Sequence, residues 1–410
     1  MSTVTLNNEK KKTLVPQLRF QEFECEWKNR SMRDFTKINQ GLQIPISERF
    51  PEKSDDNYFY ITNEFLRKDS AKSYFIKNPS ASVICFEHDI LMTRTGNTGQ
   101  VVTGVHGAFH NNFFKIKYDK TCDKWFLYFF LTSHKTQHTI LKLAGASTIP
   151  DLNHGDFYKI TINTPTLPEQ QKIASFLSAV DEKIQQLSRK KELLAKYKKG
   201  VMQQLFSGKL RFKNEDGKDY PNWEDKKLGA VANRVIRKNK ENNLNVLTIS
   251  AQLGLVSQLE YFNKSVSAKD VTNYYLLERN DFAYNKSYSN GYPMGAIKRL
   301  KKYNKGVVST LYICFCFNEI VSLNFMEQYF EFGLHNKEIE KVAQEGARNH
   351  GLLNIGVNDF LSIELIIPSI QEQQKIADFL SNIDTKIEST KQQINQTQSF
   401  KKGLLQQMFV

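Results

Sequence analysis

Two long stretches of the chain carry apolar residues alternately four and three positions apart. A mean spacing near 3.5 residues is typical of a coiled-coil seam. Two seams in one chain most simply pack on each other, so the pattern predicts a pair of long helices. The apolar positions are Ile173, Leu177, Val180, Ile184, Leu187, Leu194, Val201 and Leu205 in the first stretch, and Ile376, Leu380, Ile383, Ile387, Ile394, Leu404 and Met408 in the second.

The second stretch repeats the first. Residues 169–184 read EQQKIASFLSAVDEKI, and residues 372–387, 203 positions later, read EQQKIADFLSNIDTKI, with twelve of sixteen positions identical. The same offset aligns YKKGVMQQLF at 197–206 with FKKGLLQQMF at 400–409. The chain is therefore an internal duplication, and this determines how the rest of it is divided.

Each copy begins with a helix start signal. Thr166 is followed three residues later by Glu169, and Ser369 by Glu372. This is the spacing of a capping box, in which the hydroxyl and the glutamate each satisfy a backbone N–H of the first turn. From Glu169 to the end of the first copy, a continuous helix would span about 57 Å.

Chain connectivity predicts the direction of the two helices. The second helix starts where the second globular segment ends, so packing along the full length requires an antiparallel pair. Ile184 would then lie near Ile394 and Leu205 near Ile376, with the two chain ends close together. Two helical glycines, Gly200 and Gly403, predict either a close approach of another segment or a local bend.

Outside these stretches the pattern changes to short alternating runs such as Phe113–Lys117 and Leu311–Phe315, which predict strands. We expect an α+β fold, in which two mixed α/β domains with largely antiparallel sheets are separated by the antiparallel coiled coil in a pseudo-twofold arrangement. The predicted boundaries are 14–165 and 209–367 for the domains, and 166–208 and 368–410 for the helices.

The overall charge indicates a polyanionic partner. Lys and Arg number 57 against 43 Asp and Glu, a formal net charge of +14 at pH 7, and each basic side chain near a phosphate adds affinity by releasing a counterion. A basic surface that serves only solubility is the alternative. No apolar run is long enough for a membrane span, so we expect a cytoplasmic protein without a membrane partner. The five cysteines lack a C-x-x-C pair and predict buried free thiols.

Matching polar loops in the two globular segments are candidates for reading DNA. DILMTR at 89–94 aligns with DFAYNK at 281–286, and each is a strand-like run ending in a polar loop. Arg and Lys can pair with guanine edges, Asn with adenine, and hydroxyls with bases or phosphates. A further polar group precedes the final strand of each segment, where His350 could equally be a solvated loop residue. The candidates are Arg94, Thr95, Asn97, Thr98, Ser147 and Thr148, and Asn285, Lys286, Ser287, Tyr288, Ser289, Asn290, Arg348, Asn349 and His350.

The sequence offers no catalytic constellation. RTGNTG at 94–99 lacks the lysine and hydroxyl residue of a phosphate-binding loop. There is no N-P-P-[YF] motif of an amino-methyltransferase and no histidine spacing typical of a metal site. A nuclease-like pattern from Pro150 to Lys183 is better explained as helix surface, because its later residues recur in the second helix without a preceding Pro-Asp. We expect no catalytic residue, metal or cofactor in this chain.

The two helical repeats, with Leu-Arg-Phe at 18–20 and 210–212 followed by Trp27 and Trp223, closely resemble the specificity subunit of type I restriction-modification enzymes. The resemblance spans nearly the whole chain. It implies two target-recognition domains that each read half of a bipartite site in double-stranded DNA. It also implies two modification subunits with the methyltransferase site and S-adenosylmethionine, and restriction subunits with ATPase and nuclease activities that use ATP and Mg²⁺.

The resemblance further implies that the helices dock the modification subunits and set the spacer between the half-sites. Glutamines that the helical repeats would expose are the candidate docking residues. These are Gln170, Gln171, Gln203, Gln204, Gln373, Gln374, Gln406 and Gln407.

Two other classes of function stay open from the residues alone. A DNA-acting enzyme with a cryptic active site, such as a fused methyltransferase, would bind S-adenosylmethionine as the purified chain. A two-headed protein scaffold would lack steeply salt-dependent DNA binding.

Overall fold

The computed structural model describes residues 14–67, 70, 72–145, 148–263, 270–343 and 353–409. The strands of the N-terminal half are β1 (Lys28–Ser31), β2 (Thr36–Gln40), β3 (Asn57–Ile61), β4 (Phe75–Lys77), β5 (Ile84–Cys85), β6 (Ile90–Thr93), β7 (Val101–Val102), β8 (Gly107–Phe109), β9 (Phe113–Tyr118) and β10 (Thr161–Thr164). Its helices are α1 (Met32–Phe35), α2 (Lys124–Thr132), α3 (His134–Ala144), α4 (His154–Tyr158) and α5 (Leu167–Phe206), with 3-10 turns at Ile46–Glu48, Asn63–Leu66 and Ala81–Val83.

The C-terminal half repeats this order of elements. Its strands are β11 (Glu224–Lys227), β12 (Ala232–Arg234), β13 (Leu247–Ser250), β14 (Gly254–Ser257), β15 (Tyr275–Glu278), β16 (Phe282–Asn285), β17 (Ala296–Arg299), β18 (Lys305–Val308), β19 (Ile313–Phe317) and β20 (Glu364–Ile367). Its helices are α6 (Leu228–Val231), α7 (Gln258–Phe262), α8 (Leu323–Phe332), α9 (Asn336–Val342), α10 (Val357–Ser362) and α11 (Ile370–Gln407).

These elements form two compact units. Unit 1 comprises residues 1–189 and 391–410, and unit 2 comprises residues 190–390. Each unit therefore combines one globular segment with part of both long helices. Unit 1 takes the start of α5 and the end of α11, whereas unit 2 takes the end of α5 and the start of α11.

The same four-stranded antiparallel sheet occurs in both units. Its strand order is β2-β9-β6-β7 in unit 1 and β12-β19-β16-β17 in unit 2. In the register, Met92 lies opposite Phe114 in unit 1, and Tyr284 lies opposite Ile313 in unit 2. The α+β fold and the largely antiparallel sheets predicted from the sequence are confirmed.

The remaining strands are also equivalent. In unit 1, β3 pairs with β4, β5 pairs with β8, and β3 and β8 pair in parallel. In unit 2, β13 pairs with β14 and β15 with β18, and a parallel bridge between Val246 and Val307 joins the two pairs. A two-stranded ribbon, β1-β10 or β11-β20, leads into each long helix.

Within each unit the two long helices run antiparallel. Lys401 Nζ lies 2.5 Å from Asp181 Oδ1 in unit 1, and Lys198 Nζ lies 2.6 Å from Asp384 Oδ1 in unit 2. Lys198 lies later in α5 than Asp181, but its partner Asp384 lies earlier in α11 than Lys401. The two helices therefore run in opposite directions, as predicted. Asp181, the acidic residue of the nuclease-like pattern, lies on the helix surface as predicted, with its side chain 41% exposed, and it pairs there with Lys401 of the other helix.

The apolar seams complete the cores of the units. Ile173, Leu177, Leu404 and Met408 belong to the core of unit 1. Val201, Leu205, Ile376 and Leu380 belong to that of unit 2, so the predicted neighbours Leu205 and Ile376 share one core. The seam residues thus bury apolar surface against the globular segments as well as against the other helix.

The two ends of the described chain meet in unit 1, as predicted. Leu18 N–H donates to Gln407 O at 3.0 Å. In unit 2 the equivalent hydrogen bond, from Leu210 N–H to Gln204 O at 3.1 Å, joins residues of one continuous turn. The long helix and the start of the globular segment are thus joined by a hydrogen bond between the two chain ends in unit 1. In unit 2 the same two parts are covalently connected.

The expectations about the helical glycines and about the cysteines are met only in part. A Cβ atom at Gly200 or at Gly403 would meet no described atom within 4 Å, so no described segment approaches these glycines closely. All five cysteines are free, but Cys25 is exposed and Cys316 is half-buried, so only Cys85, Cys122 and Cys314 are the buried thiols that were predicted. Among the described residues, no helix is long and apolar enough to cross a membrane.

Candidate nucleic-acid interface

The first candidate loop, residues 94–99, is a tight turn that its glycines make possible. Gly96 and Gly99 have φ angles of +79° and +88°, in the left-handed region that favours glycine. Gly99 N–H donates to Thr93 O at 2.8 Å and closes the turn onto the end of β6. The glycine spacing superficially suggests a phosphate loop, but here the glycines supply the left-handed backbone conformations of the turn.

Arg94 orders this loop against its neighbour. Its Nε and Nη2 donate to the Asp151 carboxylate at 3.0 and 2.7 Å. Thr98 Oγ1 donates to Pro150 O at 2.6 Å, and Thr95 forms a β-bridge with Asp151. This forked pairing uses two of the five N–H groups of the guanidinium, which leaves three for a ligand. The structure thus brings Arg94, Thr95 and Thr98 together.

Among the candidate residues of this surface, Asn97 and Thr148 are exposed. Thr148 precedes Asp151, the residue that Arg94 binds. Ser147 lies outside the described residues. The loop 94–99 and the segment with Thr148 therefore share one surface, although they lie about fifty positions apart in the sequence.

The second candidate loop follows β16. Asn285 Oδ1 accepts from Ser287 N–H at 3.1 Å, which makes a side-chain turn at the end of the strand. Lys286 Nζ lies 3.4 Å from Ile355 O. Tyr288 is 63% exposed, Asn290 is exposed, and Ser289 is half-buried.

The polar group that precedes the final strand of the second segment lies outside the described residues. It consists of Arg348, Asn349 and His350.

The core beneath the second loop is built on an aromatic stack. Tyr284 stacks on Phe360 with ring centroids 4.7 Å apart, and its hydroxyl donates to Met294 O at 2.9 Å. Burial raises the pKa of Tyr284 above its usual value, so the hydroxyl stays a donor. This hydrogen bond holds the far end of the loop.

The two loops occupy equivalent positions in their units. Each follows the third strand of the four-stranded sheet, β6 or β16. Arg94 O accepts from Leu152 N–H at 2.8 Å, and Lys286 O accepts from Leu353 N–H at 3.0 Å. The structure therefore supports the alignment of Arg94 with Lys286 that the sequence analysis made.

Asp151 is the residue of this surface that the sequence analysis did not assign. Its pairing with Arg94 spans 57 positions, and no local periodicity signals such a contact. The available cue was an acidic residue three positions after Thr148 in a chain whose other candidate loop carries an arginine.

The glutamate of the first capping box has different partners from those predicted. Glu169, which is fully buried, accepts from Arg19 Nε at 2.7 Å and from Arg19 Nη2 at 2.8 Å. Trp27 Nε1 donates to the same carboxylate at 3.2 Å. The first helical turn is therefore attached to the start of the globular segment, although α5 does begin directly after Thr166.

The second copy repeats this attachment. Glu372, also fully buried, accepts from Arg211 Nε at 3.1 Å and Nη2 at 2.6 Å, and from Trp223 Nε1 at 3.2 Å. Ser369 Oγ is buried and lacks a hydrogen-bond partner among the described residues, so its predicted capping role is wrong. The recurring Leu-Arg-Phe and Trp segments of the sequence are explained by these contacts.

Two of the eight candidate docking glutamines are not available to a partner. Gln170 and Gln373 were predicted to be exposed, and each is 1% exposed. Gln170 Oε1 accepts from Asp123 N–H at 2.9 Å, and Gln373 Oε1 accepts from Ser322 N–H at 2.8 Å. Each side chain thereby binds the residue that caps α2 or α8, since this face of the long helix points into its own globular segment.

The other six glutamines lie on the surface of the helices. They are Gln171, Gln203, Gln204, Gln374, Gln406 and Gln407.

Comparisons with known proteins agree with this architecture. Residues 24–195 and 220–398 match the family described as the type I restriction modification DNA specificity domain. The specificity subunit of the type I restriction enzyme MjaVIII from Methanocaldococcus jannaschii is 27% identical over 412 residues, which cover 93% of this chain and 91% of that protein.

Two solved structures share the fold. The S subunit of a type I restriction-modification system from M. genitalium has a TM-score of 0.59 at 17% identity, covering 97% of this chain and 99% of its own. A chain from a study of complex assembly and conformational transition of the type I R-M system has a TM-score of 0.53 at 14% identity. The match covers 92% of this chain and 96% of that chain.

Proposed function

Because the chain belongs to the family of type I restriction-modification DNA specificity domains, we propose that it is the subunit that selects the DNA sequence for a type I restriction-modification complex. Each globular segment reads one half of a bipartite site in double-stranded DNA. The chain itself is non-catalytic. The net charge of +14 supports a polyanionic partner.

The equivalent placement of two chemically different loops carries this proposal. Arg94 stands in one unit where Lys286 stands in the other, at the end of the same strand of the same sheet. The loops that follow expose different side chains, Asn97 in the first unit and Tyr288 in the second. A shared framework with different side chains is suited to reading two different half-sites. Asn285, Lys286 and Tyr288 are proposed as the groups of the second loop nearest the DNA.

The long helices set the unread gap between the half-sites. Because both helices connect the two readers, they would fix the number of base pairs between the half-sites, as in other paired DNA readers. Two modification subunits, which carry S-adenosylmethionine and the methyltransferase site, dock on the helices. Restriction subunits that use ATP and Mg²⁺ complete the complex, which acts on DNA in the cytoplasm.

The six exposed glutamines are the proposed docking groups for the modification subunits. Gln203 and Gln204 in one helix correspond to Gln406 and Gln407 in the other, so two equivalent faces would bind two equivalent partners. Because Gln170 and Gln373 are buried in their own units, they position the helices for docking without touching the partner.

Co-expression with a modification subunit, followed by genome-wide mapping of methylated adenines, tests the proposal. A two-part motif with a constant gap is the expected result. Exchanging the loop 94–99 for that of a related chain should change one half of the motif only. A single contiguous motif, or a loop exchange that alters both halves, would contradict the two-headed arrangement.

A further inference from the structure

The guanidinium of Arg94 is held in one orientation. Its Nε and Nη2 donate to the two oxygens of Asp151 at 3.0 and 2.7 Å. The backbone is fixed as well, because Arg94 N–H donates to Asn112 O at 2.7 Å and Arg94 O accepts from Leu152 N–H at 2.8 Å. Backbone and side chain are therefore both in place before a ligand binds, which lowers the entropy cost of binding.

The pairing with Asp151 leaves the outer edge of the guanidinium free. Of the five N–H groups, Asp151 takes that of Nε and one of Nη2. Nη1 has no hydrogen-bond partner among the residues that the structure describes, and the Arg94 side chain is 21% exposed. One N–H of Nη1 and the second N–H of Nη2 are parallel at the end of the side chain. Two such donors match the O6 and N7 acceptors of guanine.

The charge of the pair favours a base over a phosphate group as the ligand. Arg94 and Asp151 lie 2.7 Å apart and together carry no net charge. Affinity for phosphate comes from positive charge that releases counterions. A base edge is neutral and is recognised by the positions of its donors and acceptors. A neutralised arginine that keeps two oriented donors is therefore suited to a base edge.

The fold does not require this ion pair. In unit 2 the hydrogen bond that corresponds to the one accepted by Arg94 O runs from Leu353 N–H to Lys286 O. The residue that corresponds to Asp151 in the sequence is therefore Leu352, which carries no charge. In the described part of the chain, Lys286 Nζ lies near a backbone carbonyl and pairs with no carboxylate. The ion pair is thus not part of the framework that the two units share.

We propose that Asp151 is a positioning residue, which holds Arg94 so that its outer edge reads a guanine in the first half-site. The inference rests on the proposed function, since it requires DNA at the loop 94–99. Asp151 acts through Arg94 and does not touch the base. The first half-site therefore contains one guanine whose recognition depends on both residues.

The test uses the full-length chain with its modification subunit and mapping of the methylated sites. Asp151→Asn removes the carboxylate with little change in volume, so the guanidinium loses its fixed orientation. The preference for guanine at one position of the first half-site should fall about 10-fold, within the range by which a bidentate pair discriminates between bases. The other positions of both half-sites should not change. Arg94→Gln should relax the same position, and the double variant R94Q/D151N should relax it no further than R94Q does.

Two controls separate this role from others. Asp156→Asn removes a nearby carboxylate that pairs with Lys159, and it should leave the methylated motif unchanged. R94Q/D151N removes one charge of each sign, so the slope of log K against log salt, measured on a duplex that carries the mapped site, should stay near the wild-type value. A slope lower by about 0.9 would mean that Arg94 contacts a phosphate, and this would overturn the proposal.

An unchanged motif in D151N also overturns the proposal, and so does the same relaxation in D156N. Loss of all base preference in the first half-site of D151N would show that Asp151 only maintains the structure of the loop. A first half-site without guanine in the unaltered chain would exclude the assigned base. Lack of any bipartite site with the unaltered chain would refute the proposed function itself.

Discussion

Arg19 and Glu169, which lie 150 positions apart, form a bidentate ion pair. The Glu169 carboxylate is fully buried. The hydrogen bond to Glu169 raises the pKa of the Arg19 guanidinium above its usual value. The pair joins the start of the first globular segment to the first turn of α5. Arg211 and Glu372 make the same connection in unit 2, so the duplication preserved this attachment.

Replacement of Arg19 by Gln should loosen this attachment. Removal of one partner leaves Glu169 as an uncompensated buried charge, which costs about 3 kcal/mol. Hydrogen–deuterium exchange resolved by peptide should show faster exchange around residues 14–31 and at the start of α5. The matched variant R211Q should produce the same change in unit 2 only. Wild-type protection at both places in R19Q would show that the ion pair is dispensable.

Acidification should destabilise unit 2 through His335. This side chain is 2% exposed, its ring nitrogens lack hydrogen-bond partners among the described residues, and burial lowers its pKa from 6.5 to about 3. Between these two values the unfolded chain binds a proton that the folded chain does not. Stability is therefore complete above pH 6.5 and falls with decreasing pH, by about 1.4 kcal/mol per unit.

Thermal unfolding of the wild type and of His335→Phe at pH 7 and pH 5 measures this effect. Other groups also titrate in this range, so the difference between the two proteins isolates His335. The wild type should lose about 2 kcal/mol more than the variant between these pH values. Identical pH dependence would mean that the histidine is solvated or paired in the folded protein.

Alanine at Gly200 or at Gly403 should stabilise the isolated chain. Neither site has a described atom within 4 Å of an added Cβ, and alanine in a helix interior is favoured over glycine by about 1 kcal/mol. The melting temperature should rise for each variant and further for the double variant. Gly99→Ala is the contrasting control, since its φ of +88° and its contact with Ile140 predict a loss. A lower melting temperature for G200A would reveal a close neighbour.

Lengthening both long helices by one heptad should widen the gap between the half-sites. Seven residues add about 10 Å of helix, or about three base pairs at 3.4 Å each. Insertions after Arg189 and after Thr390, at the boundary of the two units, preserve the apolar seam. Methylation mapping should return the same two half-sites with a longer gap. An unchanged gap would remove the helices from any role in spacing.

The helices, the duplication and the strand-end loops could be predicted from the sequence because each is a local pattern. The spacing of Ile173, Leu177 and their successors indicates a helix whatever it packs against. Connectivity then required an antiparallel pair, which the contact of Lys401 with Asp181 confirms. The contact of Arg94 with Asp151 could not be predicted in this way, because it joins two loops that have no periodicity.

Tertiary structure alone decided which polar residues of the repeats are buried. Gln170 and Gln171 are identical neighbours, yet Gln170 is 1% exposed and Gln171 lies at the surface. Adjacent residues point about 100° apart around a helix, so the rotation of the helix against its globular segment determines their burial. The sequence determines that a helix with two glutamines forms here. Which of the two is available to a partner depends on packing between segments that are distant in the chain.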